Sequence, residues 1–179
     1  MSTSIATDTA PQSAGPPLVA GGSLTKQIAG VAARLDQLRQ SGQRGPLAEL
    51  RRLSSREIPG DAFWAMVERF DISRGDEAFW LSVLPLMVRH PHQPGARPGK
   101  VLETAGISKS RFERWLRLDS AGARREAGRL LSNLKNDGLD WVALGHALHR
   151  WNDGDRYKLA RDFFVARERR DSTTTDGAD

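Results

Sequence analysis

Apolar residues recur at intervals of three and four through nearly all of the segment between residues 23 and 170, and no alternating apolar–polar run of useful length interrupts them. This period is typical of α-helices that bury one face. The sequence therefore predicts an all-α protein of eight or nine helices in a compact bundle. In chain order, the first expected helix begins at 23, the second covers 46–53, the third begins at 59 and the fourth covers 76–89. A short helix after Lys100 ends at 106, and the last four cover 108–118, 120–137, 141–151 and 155–170.

Several polar residues stand where helix ends are expected. We expect Ser23, Ser108, Asp140 and Asp155 to cap the helices that follow them, and Gly138 to end the helix over 120–137. Pro46 suits the first position of its helix. These signals set the boundaries of the predicted elements.

The two ends of the chain differ from its middle. Residues 1–22 are rich in Ser, Thr, Ala, Pro and Gly, and residues 171–179 in Thr, Asp and Gly. Neither segment can bury enough apolar surface to offset its ordering entropy, so both are expected to be disordered tails. The body is then 23–170, with a possible boundary between two lobes in the Pro-rich loop at 90–99.

Composition excludes several kinds of protein. The chain contains no cysteine, which rules out disulfides and thiolate chemistry. No apolar run reaches the ~18 residues that a membrane span requires, and no signal peptide is recognisable at the N-terminus. We expect a cytoplasmic protein with no membrane partner, no cofactor and no bound metal.

Basic residues dominate the body. All 27 lysines and arginines lie between Lys26 and Arg170, and 22 of them are arginine. Four of the 22 acidic residues lie in the two tails, so the body carries a formal charge of +9. Arginine binds phosphate in a bidentate manner and stacks on bases, so this excess favours a nucleic-acid partner. A coding bias towards arginine is the alternative explanation.

The cations fall on particular helix faces. Arg111, Arg114 and Arg117 follow one another at intervals of three, and the arginines of the next predicted helix lie beside its apolar face. Aligned ridges on successive helices would form one groove for a phosphate backbone, although an ordinary solvated surface would look similar. The candidate contact residues are Arg44, Arg51, Arg52, Lys109, Arg111, Arg114, Arg117, Arg124, Arg125, Arg129 and Lys135.

Candidate catalytic groups are sparse. His146 and His149 could supply at most two metal ligands, and a capping or partly buried role is the better interpretation. His90 and His92 are interpreted as a surface pair. No phosphate-binding loop or hydrolase motif is present, and the five tryptophans occupy apolar helical positions typical of a core. We predict that the protein is not an enzyme.

Four segments, in order, resemble the CasB family, the small subunit of Cascade, the type I-E CRISPR RNA-guided surveillance complex. They are 45–52 (GPLAELRR), 80–88 followed by His90 and Pro91, 110–116 (SRFERWL), and 139–141 (LDW) leading to Leu148, Trp151 and 160–164 (ARDFF). The family's leucine-arginine-arginine motif falls on Leu50, Arg51 and Arg52, and its arginine-rich helix start on Arg111 and Arg114. The sequence departs from the family in its long N-terminal tail and in Trp115.

The resemblance implies an all-helical, non-catalytic subunit that is present in two copies. It implies that the protein contacts the backbone and large subunits of Cascade, the guide RNA, and the target DNA with its displaced strand. Its role would be to stabilise the R-loop in antiviral defence. The alternatives are a protein–protein scaffold whose arginines face acidic subunits, a free helix-turn-helix-like DNA-binding protein, and an unrecognised enzyme that uses His146 and His149.

Overall fold

The computed structural model describes residues 21–54, 57–134 and 138–175. Within these ranges the chain forms nine α-helices and no strand, which confirms the all-α prediction. The helices are α1 (Gly21–Gln40), α2 (Arg44–Arg51), α3 (Asp61–Arg69), α4 (Glu77–Arg89), α5 (Pro98–Thr104), α6 (Lys109–Leu116), α7 (Ser120–Leu131), α8 (Trp141–Arg150) and α9 (Asp153–Thr175). The expected tails at 1–20 and 176–179 lie outside the described residues.

Two of the predicted caps are present. Ser108 Oγ accepts a hydrogen bond from Arg111 N at 3.4 Å, and Asp140 Oδ1 accepts one from Ala143 N at 3.1 Å. Each satisfies an amide that the first helical turn leaves without a partner. The starts of α6 and α8 are therefore encoded locally, as the sequence predicts.

Other predicted boundaries are wrong. Ser23 and Pro46 are each the third residue of their helices, α1 and α2, and α3 begins at Asp61 instead of 59. At α9 the capping oxygen belongs to Asn152, whose Oδ1 accepts from Asp155 N at 2.9 Å. The acidic first turn of α9 suits the positive end of the helix dipole, and α9 continues to Thr175.

Helix α7 ends at Leu131, six residues before the predicted end at 137. The hydroxyl of Ser132 donates to Arg129 O at 2.8 Å, and the amide of Asn133 donates to Leu130 O at 3.2 Å. Side chains that bond to helix carbonyls in this way compete with further helical hydrogen bonds. They account for the early end. Residues 135–137, which include Lys135, lie outside the described part of the chain.

The segment after α4 is held by α8. The amide of Gln93 donates to Leu139 O at 3.1 Å, and His92 Nδ1 accepts from Trp141 N at 3.1 Å. His90 is buried. The interpretation of the two histidines as a surface pair is thus wrong, because His92 caps a helix that lies 49 residues away in sequence. Helix α5 begins at Pro98, inside the loop expected at 90–99.

Four tryptophans form the centre of the core, as predicted. Trp80, Trp115, Trp141 and Trp151 are all buried. Three of their indoles donate to backbone carbonyls: Trp115 to Ala123 at 2.9 Å, Trp141 to His90 at 2.7 Å and Trp151 to Leu118 at 2.7 Å. Each of these bonds satisfies a buried indole N–H and fixes how two segments pack. The prediction is wrong for Trp64, which is 44% exposed.

Helices α5 and α9 approach each other at Gly99. A methyl group placed on Gly99 would lie 2.2 Å from Leu159 O and 2.9 Å from Phe163 N. Only a residue without a side chain allows the two backbones to pack this closely. Nearby, the rings of Phe112 and Phe163 stack with centroids 3.9 Å apart, which joins α6 to the same helix.

We expect Gly99→Ala to lower the free energy of unfolding by about 1–3 kcal/mol, because the added methyl group forces two backbones apart. Urea denaturation checks this. Gly45→Ala is the matched control, since no atom lies within 4 Å of the added methyl group there. Equal stability of the two variants would contradict the close approach.

The histidines of α8 bind two different helices instead of sharing a ligand. His146 Nε2 and Thr25 Oγ1 of α1 lie 2.6 Å apart, and His149 Nε2 lies 2.9 Å from Asp76 Oδ1 at the start of α4. Burial lowers the pKa of His146, with a further contribution from the charge of Arg150. For Asp76, burial raises the pKa, but the hydrogen bonds from His149 and Ser73 bring it below its ordinary value.

We expect the free energy of unfolding to fall as the pH drops from 7.5 to 5.5. The unfolded chain takes up a proton near pH 6.5 that the folded protein accepts only at lower pH, so the contribution of neutral His146 is present above that value and is lost below it. The Asp76 carboxylate also contributes to the free energy of unfolding, but this contribution is lost only at a lower pH, as the pH falls through the lowered pKa of Asp76. His146→Gln, compared with wild type by urea denaturation, should reduce the pH dependence. An unchanged dependence would contradict this assignment.

Candidate nucleic-acid interface

Helices α6 and α7 enclose a polar groove of about 520 Å³, referred to below as the α6–α7 groove. The bond from the Trp115 indole to Ala123 O holds the two helices together at its floor. The lining residues are Ser108, Ser110, Arg111, Arg114, Trp115, Leu118, Gly122, Arg125, Glu126 and Arg129. Four arginines thus face one glutamate, and all four are among the residues predicted from the sequence.

Two of these arginines are held by Glu126. Arg129 Nη1 lies 2.9 Å from Glu126 Oε2, and Arg111 Nη2 lies 3.7 Å from Glu126 Oε1. Arg111 also donates to Arg129 O at 3.0 Å, at the C-terminal end of α7. Because its carboxylate faces both guanidinium groups, Glu126 positions them and neutralises part of their charge.

The other two arginines of the groove are unpaired. The side chains of Arg114 and Arg125 are exposed, and neither forms a hydrogen bond or ion pair with any residue in the described part of the chain. Arg117, one turn after Arg114, is also exposed. Since no carboxylate of the described residues compensates these charges, they are available to an anion from solution.

Arg124 differs from its neighbour Arg125. Its guanidinium donates to Leu148 O at 3.2 Å, near the C-terminal end of α8, and burial lowers its pKa. Its role is to satisfy a carbonyl of another helix. Although predicted as a contact residue, Arg124 is therefore turned away from the groove that Arg125 lines.

The remaining predicted cations lie elsewhere. Lys109 is on the other side of α6, 3.9 Å from Glu113 Oε1 and 5.8 Å from the ring centroid of Phe164. Arg44, Arg51 and Arg52 are exposed on or directly after α2. We refer to these three residues as the α2 cluster, and their helix packs on α4, α1 and α3.

One cationic surface was missed by the sequence interpretation. Helices α5 and α9 form a groove of about 350 Å³ whose basic residues are Arg97, Lys100, Arg169 and Arg170. Arg170 pairs with the buried Glu103 at 2.5 Å, and Arg97 with Asp162 at 3.3 Å. The sequence carries no signal for this surface, because its two halves are about 70 residues apart.

Two other kinds of site are absent from the described ranges. No group of three or more His, Asp or Glu side chains there could hold a metal ion. None of the described helices is long and apolar enough to cross a membrane.

The chain matches a known protein family. A family model described as CRISPR-associated protein Cse2 matches residues 46–164, from the third residue of α2 to the middle of α9. The matched segment includes both the α6–α7 groove and Arg51 and Arg52 of the α2 cluster. No curated protein is significantly similar to the chain.

The geometry predicts that the arginines fall into two classes. We expect Arg111→Ala and Arg124→Ala each to lower the free energy of unfolding by about 1 kcal/mol. Arg124→Ala removes the side-chain donor to Leu148 O, and Arg111→Ala removes both the hydrogen bond to Arg129 O and the ion pair with Glu126. Arg114→Ala and Arg125→Ala should change it by less than about 0.5 kcal/mol. Urea denaturation of the four variants measures the difference. Equal effects would show that the classes are not distinct.

Proposed function

Because this chain belongs to the CRISPR-associated Cse2 (CasB) family, a structural subunit of the Cascade complex, we propose that its α6–α7 groove holds the phosphate backbone of a nucleic acid. The observation that carries the proposal is the convergence of four arginines on one groove that contains a single carboxylate. The protein would hold strands without cutting them. His146 and His149, the pair considered above as candidate catalytic groups, both join helices through hydrogen bonds.

Arginine suits this task better than lysine. Its planar guanidinium can donate two parallel hydrogen bonds to one phosphate, and it loses less hydration than an ammonium group does. Binding also releases the counterions condensed on the strand, so affinity falls steeply as salt rises. Arg114 and Arg125 can gain most from a phosphate, since neither is neutralised within the described residues.

The strand that fits this role is one of those in an R-loop. In RNA-guided complexes base pairing reads the sequence, so the protein needs to recognise only backbone and shape. The RNA–DNA hybrid is about as stable as the duplex it replaces, so a few contacts to a strand decide whether the R-loop persists. We assign the displaced DNA strand to the α6–α7 groove, and the guide RNA–target hybrid to the α2 cluster.

Membership of the family implies association with other components of Cascade. We propose contacts with the backbone and large subunits and with a second copy of this chain. The scaffold alternative places the same arginines against acidic protein surfaces. The helix-turn-helix alternative places α6 in a DNA groove, with α5 and the turn at Gly106, where φ is +79°, as the preceding elements.

We expect Arg114→Glu combined with Arg125→Glu to shorten the R-loop lifetime of the assembled complex by at least about tenfold, because two charged hydrogen bonds are lost and two repulsions are added. In a plot of the logarithm of single-strand affinity against the logarithm of salt concentration, the slope should become less steep by about 1.4. The matched control is Lys26→Glu with Arg74→Glu, two exposed cations outside the groove with the same change of charge. Strand dissociation at several salt concentrations measures both effects.

The alternatives give other results in the same experiment. Lost assembly in size-exclusion chromatography, with normal R-loop lifetime in any complex that forms, would support the scaffold. A sequence-specific footprint by the isolated protein would support the helix-turn-helix reader. An R-loop lifetime equal to that of the control variant would overturn the proposal.

A further inference from the structure

The only tyrosine of the chain is exposed on α9, which packs against α6. Tyr157 is 70% exposed, more than any other aromatic residue that the structure describes. Its side chain makes no hydrogen bond or ring contact within the described residues. Neither core packing nor a polar partner therefore explains an aromatic ring at this position.

Tyr157 belongs to a strip that combines rings and cations. Arg161 and Phe164 follow it at intervals of four and three, so the three residues share one face of α9. Lys109 of α6 lies 5.8 Å from the Phe164 ring centroid at the end of this face. We refer to Tyr157, Arg161, Phe164 and Lys109 as the α9 strip. Arg161 is exposed and forms no ion pair with the described residues.

The strip follows the side of α6 that faces away from α7. Arg156, the residue before Tyr157, donates to Leu116 O at 3.2 Å, at the C-terminal end of α6. Near the other end, the Phe112 and Phe164 rings lie 6.2 Å apart. The strip therefore spans the length of α6 in the antiparallel direction.

The exposed crest of α6 connects the strip to the α6–α7 groove. With 100° per residue, Arg114 and Arg117 point between the edge that contains Lys109 and the edge that contains Arg111. A helix with its side chains is about 10 Å wide, which one or two nucleotides of an extended strand can cross. Arg125, Arg114 and Arg117 thus lead over α6 towards Lys109 and Arg161, and the acid on this side of α6, Glu113, lies 3.9 Å from Lys109 Nζ.

We propose that Tyr157 stacks on a base of a single-stranded nucleic acid whose backbone follows the α6–α7 groove. This inference rests on the proposed function of the groove. Proteins that hold single strands combine a cationic track with exposed aromatic rings, because every base offers a π face. In a duplex the bases are stacked on one another, so the strip selects single strands, whereas the arginines act on any phosphate backbone.

The single tyrosine allows a direct test. The full-length chain is labelled with 3-fluorotyrosine, which gives one ¹⁹F resonance, and is titrated with a 20-nucleotide oligo(dA), the matching oligo(rA) and a duplex of equal length. We expect the resonance to shift and saturate with the single strands and to move far less with the duplex. A shift with only DNA or only RNA identifies the strand that the strip holds. An unmoved resonance with both single strands, or equal shifts with the duplex, overturns the inference.

Affinity measurements separate the ring from the charges. We expect Tyr157→Ala to weaken single-strand binding by about 5- to 100-fold without changing the salt slope, while Tyr157→Phe stays within about twofold of wild type. Val165→Ala, at an exposed apolar position on the same helix, is the matched control. If Tyr157→Phe weakened single-strand binding as much as Tyr157→Ala does, stacking would be overturned, because phenylalanine keeps the aromatic ring. Circular dichroism confirms that each variant is folded.

The two proposals fail in distinguishable ways. If the Arg114→Glu and Arg125→Glu variant loses binding but Tyr157→Ala does not, base stacking on Tyr157 is contradicted and the proposed function of the groove is supported. If Tyr157→Ala alone loses binding, bases stack on α9 but the backbone does not follow the groove, which contradicts the inference as stated. If neither change weakens binding, the proposed function of the groove also fails.

Discussion

The packing of aromatic residues on the inner face of α6 determines where the charges of this protein lie. Phe112 stacks on Phe163 of α9, and Trp115 contacts Trp151 with ring centroids 5.0 Å apart while its indole bonds to α7. With these two side chains buried, the rotation of α6 about its axis is fixed. Arg114 must then point to solvent, since it lies 100° from Trp115 on an eight-residue helix.

The same packing divides the arginines by function. Arg111 lies on the edge of α6 that meets α7, so its guanidinium reaches a terminal carbonyl of that helix, and Arg124 does the same for α8. A guanidinium group that satisfies a helix carbonyl stabilises the fold and is less available to a ligand. Arg114 and Arg125 have no such partner among the described residues. A bound anion would relieve the repulsion between their charges.

The sequence predicts features that depend on neighbours along the chain. Helical periodicity, the caps at Ser108 and Asp140 and the burial of most tryptophans were all accessible, because three or four residues decide each of them. Contacts across the fold were not. Nothing local distinguishes Arg124 from Arg125, and the cap that His92 provides for α8 joins positions 49 residues apart. The sequence therefore predicts the candidate interface only as a set of cations. It does not predict which of them bond to other helices and which are exposed without a partner.

That geometry bears on how a small protein could hold a strand without reading its sequence. The groove is formed by two helices whose packing is fixed by buried rings, and Glu126 holds the guanidinium groups of Arg111 and Arg129 in position. Preorganised donors lose little conformational entropy on binding, and more of each phosphate contact then contributes to affinity. A flexible arginine-rich tail with the same charge would lose that advantage. The folded body, and not its charge alone, would make a few contacts sufficient to bias a nearly balanced R-loop.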